Sequence, residues 1–365
     1  MAELLVSAVG EAARVEAAQA FCRDFCGGDR SIKRFVFGRN VYASKVIAQL
    51  PIDGVVDDFC EDAQYLGLPV VRTADVPEGA MVLVLSGGRP LSVQDKLSSL
   101  PVRSLDYFAF ARWSGLDLTG IVFNEGFAAD FEAHRDRYEW IFARLKDEES
   151  RRVFSKLVSF RLKGDIELLR GFTHREHLQY FEDFLGLKPA GETFFDVGGF
   201  DGFTTQEFIK RCPDFNSVQL FEPEPANFAK CSQALKHLSK VAVHPFGLSS
   251  ESQRLCFEPA GSGSVITQNG SVEIEVRRLD EMDLPAPTFL KMDIEGAEPF
   301  ALAGAKETIA RAHPVLAVAI YHYAGGHAPF WQIPEQVLAI RDDYDIYVRH
   351  YTESIYETVM FFVPR

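Results

Sequence analysis

The stretch Phe194 to Thr205, FFDVGGFDGFTT, constrains this chain more than any other. An apolar run ends in a glycine-rich turn, and Thr204 to Lys210 can continue as a helix, so the glycines sit at a strand-to-helix junction. Glycine there lets backbone approach a ligand closely. A dinucleotide fingerprint reads G-x-G-x-x-G, with a helix N-terminus aimed at a pyrophosphate. Here the spacing is G-G-x-x-G, and Asp196 and Asp201 stand inside the turn. Carboxylates repel a pyrophosphate. They favour a ligand carrying a sulfonium and an ammonium, as S-adenosylmethionine does.

A chain of 365 residues is long for one core, which makes about two domains the natural expectation. With 47% apolar and 25% charged residues it has the composition of a folded globular protein. The net charge of -14, from 52 acidic and 38 basic residues, repels phosphate backbones. That argues against nucleic acid or an anionic membrane as main partner. The six cysteines, Cys22, Cys26, Cys60, Cys212, Cys231 and Cys256, form neither CxxC pairs nor a stapling framework, which fits a reducing compartment. Glu3, Glu11 and Arg14 interrupt the apolar residues of MAELLVSAVGEAARVEAAQAFC, so it reads as an amphipathic helix rather than a signal peptide. No apolar run approaches the roughly 18 residues a bilayer requires. A soluble, cytoplasmic protein is expected.

Residues 34–38 read as a strand ending in glycine, followed by a helix over 41–50, a strand over 54–58 and a third apolar run over 80–88. This alternation predicts a small parallel sheet, a Rossmann-like domain over residues 1–120 that includes the N-terminal helix. Residues 121–187 are expected to form a helical connector, its charges mostly a solvated face. Residues 188–365 form a further α/β domain. Its strands are expected at 193–198, 217–221, 240–246, 288–293, 314–320, 344–349 and 357–363, with helices after the first, second, fourth and fifth. Between the third and fourth lies a strand-rich excursion with a hairpin signal at Asn269-Gly270. The last two strands are joined by a link too short for a parallel crossover, so they pair antiparallel. Seven mostly parallel strands ending in such a hairpin make the plan of a class I methyltransferase sheet.

Ligands of open parallel sheets lie at the carboxyl ends of the strands. Glu222, about 20 to 25 residues past the turn, is placed there to accept ribose hydroxyls, its bland alternative being an exposed acid before Pro223. The fourth strand ends FLKMDIEGAE, where Lys291, Asp293 and Glu295 can share a face until Gly296 turns the chain, with Glu298 close by. The fifth delivers Tyr321, His322 and Tyr323. His322, with a pKa expected near neutrality, can accept a hydroxyl proton or simply be hydrogen-bonded in the cleft wall.

In order, FFDVGGFDG, FEP, GSGS, RRLDEM and FLKMDIEGAE resemble the motifs of the FkbM family of S-adenosylmethionine-dependent methyltransferases, over residues 193–312. Gly199-Phe200-Asp201 departs from the family's usual Ala-x-Asn. The resemblance implies methyl transfer, usually to an oxygen of a sugar, polyketide or other secondary metabolite. It implies Asp196 and Gly198, with Asp201, at the methionine end of the cofactor, Glu222 on the ribose, and adenine near Leu248, Ser249 and Ser250. Asp293 falls nearest the transferred methyl, where it can orient the acceptor, act as base, or help hold a divalent ion such as Mg2+ with Glu295 or His322; Lys291 joins Asp293 and His322 as a catalytic candidate.

The first domain is similar to the small nucleotide-binding-like domain in front of sugar acyltransferases. Of that family's glycines only Gly38 remains, with Arg39, Asn40 and Tyr42 beyond it. A structural, substrate-positioning or dimer-forming role is expected, Asp57 and Asp58 being either ribose contacts or a solvated strand end. Two other readings compete with an O-methyltransferase of a small-molecule acceptor. A non-catalytic binding module is one; an NAD-dependent oxidoreductase is disfavoured because neither half carries an intact fingerprint. The acceptor pocket would be shaped by the connector, the excursion and AGGHAPFW (324–331).

Overall fold

A computed structural model of the chain describes residues 11–258, 265–266, 272–323 and 326–365. Helix α1 (Glu11–Gly27) buries Phe21, Cys22 and Phe25. Strand β1 (Arg34–Phe37) then leads into α2 (Val41–Gln49). Asn40 caps this helix: its Oδ1 accepts from the amides of Tyr42 and Ala43, at 3.1 and 3.3 Å. Such a cap supplies partners for amides that lack them inside the helix.

Strands β2 (Gly54–Val56), β3 (Gln64–Tyr65), β4 (Leu68–Val71), β5 (Met81–Val84) and β6 (Arg103–Asp106) complete a sheet in the order β3-β4-β2-β1-β5-β6, parallel except for the β3-β4 pair. Helix α3 (Pro90–Ser98) connects β5 to β6, and α4 (Tyr107–Trp113) follows, its cap the side chain of Asp106. The sheet is larger than the sequence pattern suggested, because β6 reads RSLD and carries no apolar run. The side chains of Asp57 and Asp58 are engaged within this unit. Asp57 pairs with Arg39 at 2.8 Å, and Asp58 accepts from Thr73 and pairs with Lys96 at 2.6 Å.

Helices α5 (Phe127–Ala133), α6 (Arg135–Phe142) and α7 (Glu148–Lys163) occupy the expected connector. The helical expectation fails beyond Lys163. Gly164 ends α7 in the left-handed region (φ +65), and only short 3-10 turns follow, at Ile166–Leu169, Glu176–Leu178 and Asp183–Leu185.

The second sheet is built from β7 (Thr193–Val197), β8 (Ser217–Phe221) and β9 (Val241–His244), with α8 (Phe203–Arg211) and α9 (Pro225–Leu235) between them. A small sheet follows, ordered β10-β13-β11-β12, from β10 (Gly247–Leu248), β11 (Gln253–Glu258), β12 (Val265–Ile266) and β13 (Val272–Arg277). The Asn269-Gly270 signal lies outside the described residues. The chain returns through β14 (Phe289–Met292), α10 (Glu298–Gly304), α11 (Lys306–Ala312), β15 (Val315–Ala319), α12 (Pro329–Ile340), β16 (Tyr344–His350) and β17 (Thr358–Pro364). The seven strands lie in the order β16-β17-β15-β14-β7-β8-β9. β17 runs antiparallel to both neighbours, as the short link before it requires. β7, β14 and β15 are apolar because helices cover both faces of their sheet: Phe195, Leu290 and Leu316 enter one cluster, Phe194, Phe289 and Ala317 another. Among the described residues no helix is long and apolar enough to cross a membrane.

Candidate active site

The parallel strands β7, β8, β14 and β15 all end at one edge of the sheet. Because β17 is antiparallel, its beginning comes to that same edge, with Val359 opposite Ala319. Residues at 196–202, 222, 293–298, 321–323 and 357 therefore converge, though they are far apart in the chain.

Gly198 has φ +86, and a Cβ there would lie 2.0 Å from the backbone oxygen of Asp293. The turn is thus pressed onto the end of β14, which only glycine allows. Phe200, also at positive φ (+50), donates its amide to Glu222 Oε2 at 2.8 Å. Glu222 Oε1 accepts the amide of Glu224 at 2.9 Å. The Glu222 carboxyl is buried and pushed upward by that burial, against the pull of these two amides.

Asp196 is fully buried beneath the turn. Its Oδ2 accepts from Thr205 at 2.8 Å, and its Oδ1 lies 3.1 Å from Lys291 Nζ. Lys291 also donates to the carbonyls of Gly198, at 2.5 Å, and Val197, at 3.3 Å. Burial opposes its charge, but Asp196 and Asp293 outweigh burial and hold its pKa up. Lys291 is therefore a cation locked under the glycine turn. Asp201 is not drawn into this group: it is exposed and accepts the amide of Phe203 at 3.0 Å. Ser249 is buried against the far end of α10, where a Cβ on Gly304 would meet the Ser249 carbonyl at 2.0 Å.

The second group centres on Asp293. Tyr180 donates to its Oδ2 at 2.6 Å and Tyr321 to its Oδ1 at 3.4 Å. His322, 1% exposed, lies with Nε2 3.5 Å from both Asp293 Oδ1 and Glu295 Oε2, and Nδ1 2.8 Å from Glu298 Oε1. Glu295 (φ +57) and Gly296 (φ +98) make the turn expected after β14. The near-neutral histidine expected from the sequence is not what this environment produces. Burial alone would lower the imidazole, but Glu298, Asp293 and Glu295 outweigh it and push its pKa up to about 9. At neutral pH His322 is a buried cation, without a free lone pair to accept a proton. Glu295 is pushed up to about 8 by burial, Asp293 and Glu298 adding to this against the pull of His322.

One ligand atom from each of Asp293, Glu298 and His322 lies within 4.8 Å of the others. Magnesium prefers six oxygen ligands in near-octahedral geometry. This group offers one imidazole, already bonded to Glu298, and carboxylates balanced by the imidazolium, so the residues do not fit Mg2+.

Sequence reasoning did not single out Tyr180, Arg161 or Glu357. Tyr180 comes from the turn between the 3-10 helices Glu176–Leu178 and Asp183–Leu185, where no periodicity flags it. Arg161, 4% exposed, donates to the carbonyls of Phe123, Tyr321 and Ile355 and lies over the ring of Phe127. Glu357 immediately precedes β17, at φ +62, held by the Gln179 side-chain amide. Its acid lies in the polar link TESIYE, which gave no hint that strand inversion would carry it to the ligand edge.

A cavity of about 170 Å³ opens beside this group, lined among others by Gly88, His174, Tyr321, Thr352, Ser354 and Glu357. A larger groove of about 650 Å³ lies against β9 and β13, with His244, Phe246, Arg254 and Arg277 on its walls. It is three strands removed from β14 and touches none of the carboxylates above.

Residues 196–350 match the methyltransferase FkbM domain. The chain is 27% identical over 153 residues to the 2-O-methyltransferase NoeI of Sinorhizobium fredii; the alignment covers 34% of this chain and 62% of that protein. The crystal structure of methyltransferase FkbM from Methylobacillus flagellatus KT superposes with a TM-score of 0.73 at 22% identity, over 96% of this chain and 98% of that one. That likeness is one of fold and extends over both sheets. The C-terminal part of the chain, residues 196–350, is an FkbM-family methyltransferase domain.

Proposed function

We propose that the protein is an S-adenosylmethionine-dependent methyltransferase that acts on a hydroxyl of a small molecule, a sugar or secondary metabolite. The observation that carries this reading is the glycine turn: Gly198 clamped over Asp293, with Phe200 bonded to Glu222, at the carboxyl edge of the sheet. The residues fit the cofactor. Asp293, Glu298 and Glu357 give the edge an acidic character suited to a sulfonium and an ammonium, and disfavour a pyrophosphate.

Glu222 would receive the ribose hydroxyls on lone pairs that its two amide donors leave free. The backbone of 198–200 would hold the methionine end. Asp196 would serve it from beneath, through Lys291, and Asp293 would stand nearest the acceptor. Adenine would lie toward Leu248, Ser249 and Ser250. When bound, the cofactor supplies an electrophilic methyl on sulfur. The chain's own part is to align the acceptor, exclude water and remove a proton. Likeness to a 2-O-methyltransferase supports oxygen as the accepting atom.

Calorimetric titration with S-adenosylhomocysteine, with NAD in parallel, tests this reading. Saturable binding of the former alone is expected. Binding of NAD alone would overturn it, and binding of neither would favour a non-catalytic module.

A further inference from the structure

The cavity beside Asp293 is assembled from three parts of the chain. The loop after β5 contributes Gly88, the stretch between the sheets contributes His174 and Glu176, and the segments after β15 and between β16 and β17 contribute Tyr321, Thr352, Ser354 and Glu357. Ser354 donates to the carbonyl of Gly87, and the amide of Ser92 donates to Glu353 at 2.9 Å, so the first sheet is fixed as a wall.

Its volume of about 170 Å³ equals roughly six waters of liquid, the scale of one sugar ring. Most of the lining surface is apolar, which suits the C–H face of a sugar ring, and its polar groups have unused hydrogen-bonding capacity: neither ring nitrogen of His174 has a hydrogen-bond partner among the described residues, Nδ1 lying 3.5 Å from Glu176 Oε1. A half-buried imidazole in this state, its side chain 23% exposed, can take hydroxyl partners from a ligand. The carboxylates of Glu176, Glu357 and Asp293 disfavour an anionic acceptor.

Two carboxylates line this cavity. Glu176 is 61% exposed in its side chain and opens to solvent. Glu357 is half-buried, held by Gln179, and fixed at φ +62 on the first residue before β17. A non-glycine residue held in the left-handed region marks a position that surrounding structure over-determines.

Resting on the methyltransferase reading, we infer that this cavity is the acceptor site, that it takes an unphosphorylated sugar or cyclitol ring, and that Glu357 is the general base. The acceptor O–H proton passes to a Glu357 carboxylate oxygen. The acceptor oxygen's lone pair forms the C–O bond to the sulfonium methyl, and the C–S bond breaks with its electron pair going to sulfur. His322, a cation against Asp293 and Glu295, offsets the negative charge of the cluster. The groups facing Glu357 are Asp293, His322, Glu176, Gln179, Glu295, Tyr180 and Tyr321. Burial first, then Asp293, pushes its carboxyl up to about 7, while Gln179 and His322 oppose the rise. A base so poised matches proton transfer at neutral pH.

The test uses saturation-transfer NMR with D-glucose, D-galactose, D-mannose and myo-inositol, with and without S-adenosylhomocysteine, and D-glucose 6-phosphate as the anionic comparison. Gly88→Trp sets a large ring at the cavity wall, at a position where a Cβ meets nothing within 4 Å, and an unchanged melting temperature checks that the variant is folded. At least one neutral probe should bind the wild type and Glu357→Gln alike and be lost from Gly88→Trp, with the phosphate ester not binding. With that probe as acceptor, Glu357→Gln should lower kcat by roughly 10²–10⁴-fold and remove the acidic limb of its pH profile, leaving KM within about threefold.

Binding of no neutral probe, or unaltered binding by Gly88→Trp, overturns the cavity assignment. An unchanged kcat and pH profile in Glu357→Gln overturns the base. Failure of the wild type to bind S-adenosylhomocysteine while the sugar still binds would instead sink the cofactor reading.

Discussion

Lys291 Nζ lies 3.1 Å from Asp196 Oδ1, and the side chains are 3% and 0% exposed. Two adjacent strands, β7 and β14, thus carry opposite charges into the sheet interior, directly opposite each other in register. Removing one partner leaves a buried charge without compensation. Lys291→Met and Asp196→Asn should each cost about 3–5 kcal/mol, and the double variant clearly less than their sum. Urea denaturation of the four proteins measures this; additive losses would show that the pair does not act as a unit.

Gly191 and Gly198 share nearly the same backbone, φ +87 and +86, but differ in surroundings: a Cβ at 191 meets nothing within 4 Å, whereas one at 198 meets the Asp293 carbonyl at 2.0 Å. Gly191→Ala should cost only the conformational penalty, about 1–2 kcal/mol. Gly198→Ala must in addition separate the turn from β14, lowering the melting temperature further and weakening S-adenosylhomocysteine binding at least tenfold. Equal melting temperatures for the two variants would refute the clamp.

His350 is buried, with Nδ1 2.9 Å from Thr358 Oγ1, and burial pushes its pKa down from 6.5 to about 3. A depressed histidine contributes stability that is present above its unfolded value, near 6.5, and is lost as pH falls toward 3. Between about pH 7.5 and pH 4.5 the wild type should lose roughly 2–3 kcal/mol more than His350→Gln. Parallel denaturation curves at the two pH values check this, and equal losses would mean that His350 is charged in the folded state.

Arg161 holds carbonyls from Phe123, Tyr321 and Ile355 with one planar guanidinium. Lysine cannot present the same fork of donors. Arg161→Lys should therefore destabilise by about 2 kcal/mol or more and reduce methyl transfer through Tyr321, its neighbour in the site. Stability and activity at wild-type levels in Arg161→Lys would show that charge alone suffices there.

The strands of the second sheet were legible to within two residues or so because each is an apolar run bounded by glycine, proline or charge. β6 was not, since its residues are polar and it pairs at an edge. The helical periodicity of 127–163 was readable, but the stretch after Gly164 has charged and aromatic residues without a fixed period, and its conformation is set by packing. Asp196, Gly198, Glu222, Asp293 and His322 were singled out at strand ends, and the fold brings them to one edge of the sheet; the surroundings of Lys291 and Asp201 were not legible. Lys291 lies under the turn because its strand neighbours β7, and Asp201 is exposed, its carboxylate accepting the amide of Phe203.

Local pattern by itself determined the alternation of strands and helices, the glycine turn and the acids at strand ends, because these depend on residues a few positions apart. Only tertiary structure decided which charges meet. The state of His322 is the sum of three carboxylates within reach of its ring, and the cavity draws its walls from residues 88, 174 and 357. Glu357 reaches the site because β17 runs backwards in the sheet. Such long-range sums of Coulomb attraction, burial and strand direction exist only once the chain has closed on itself.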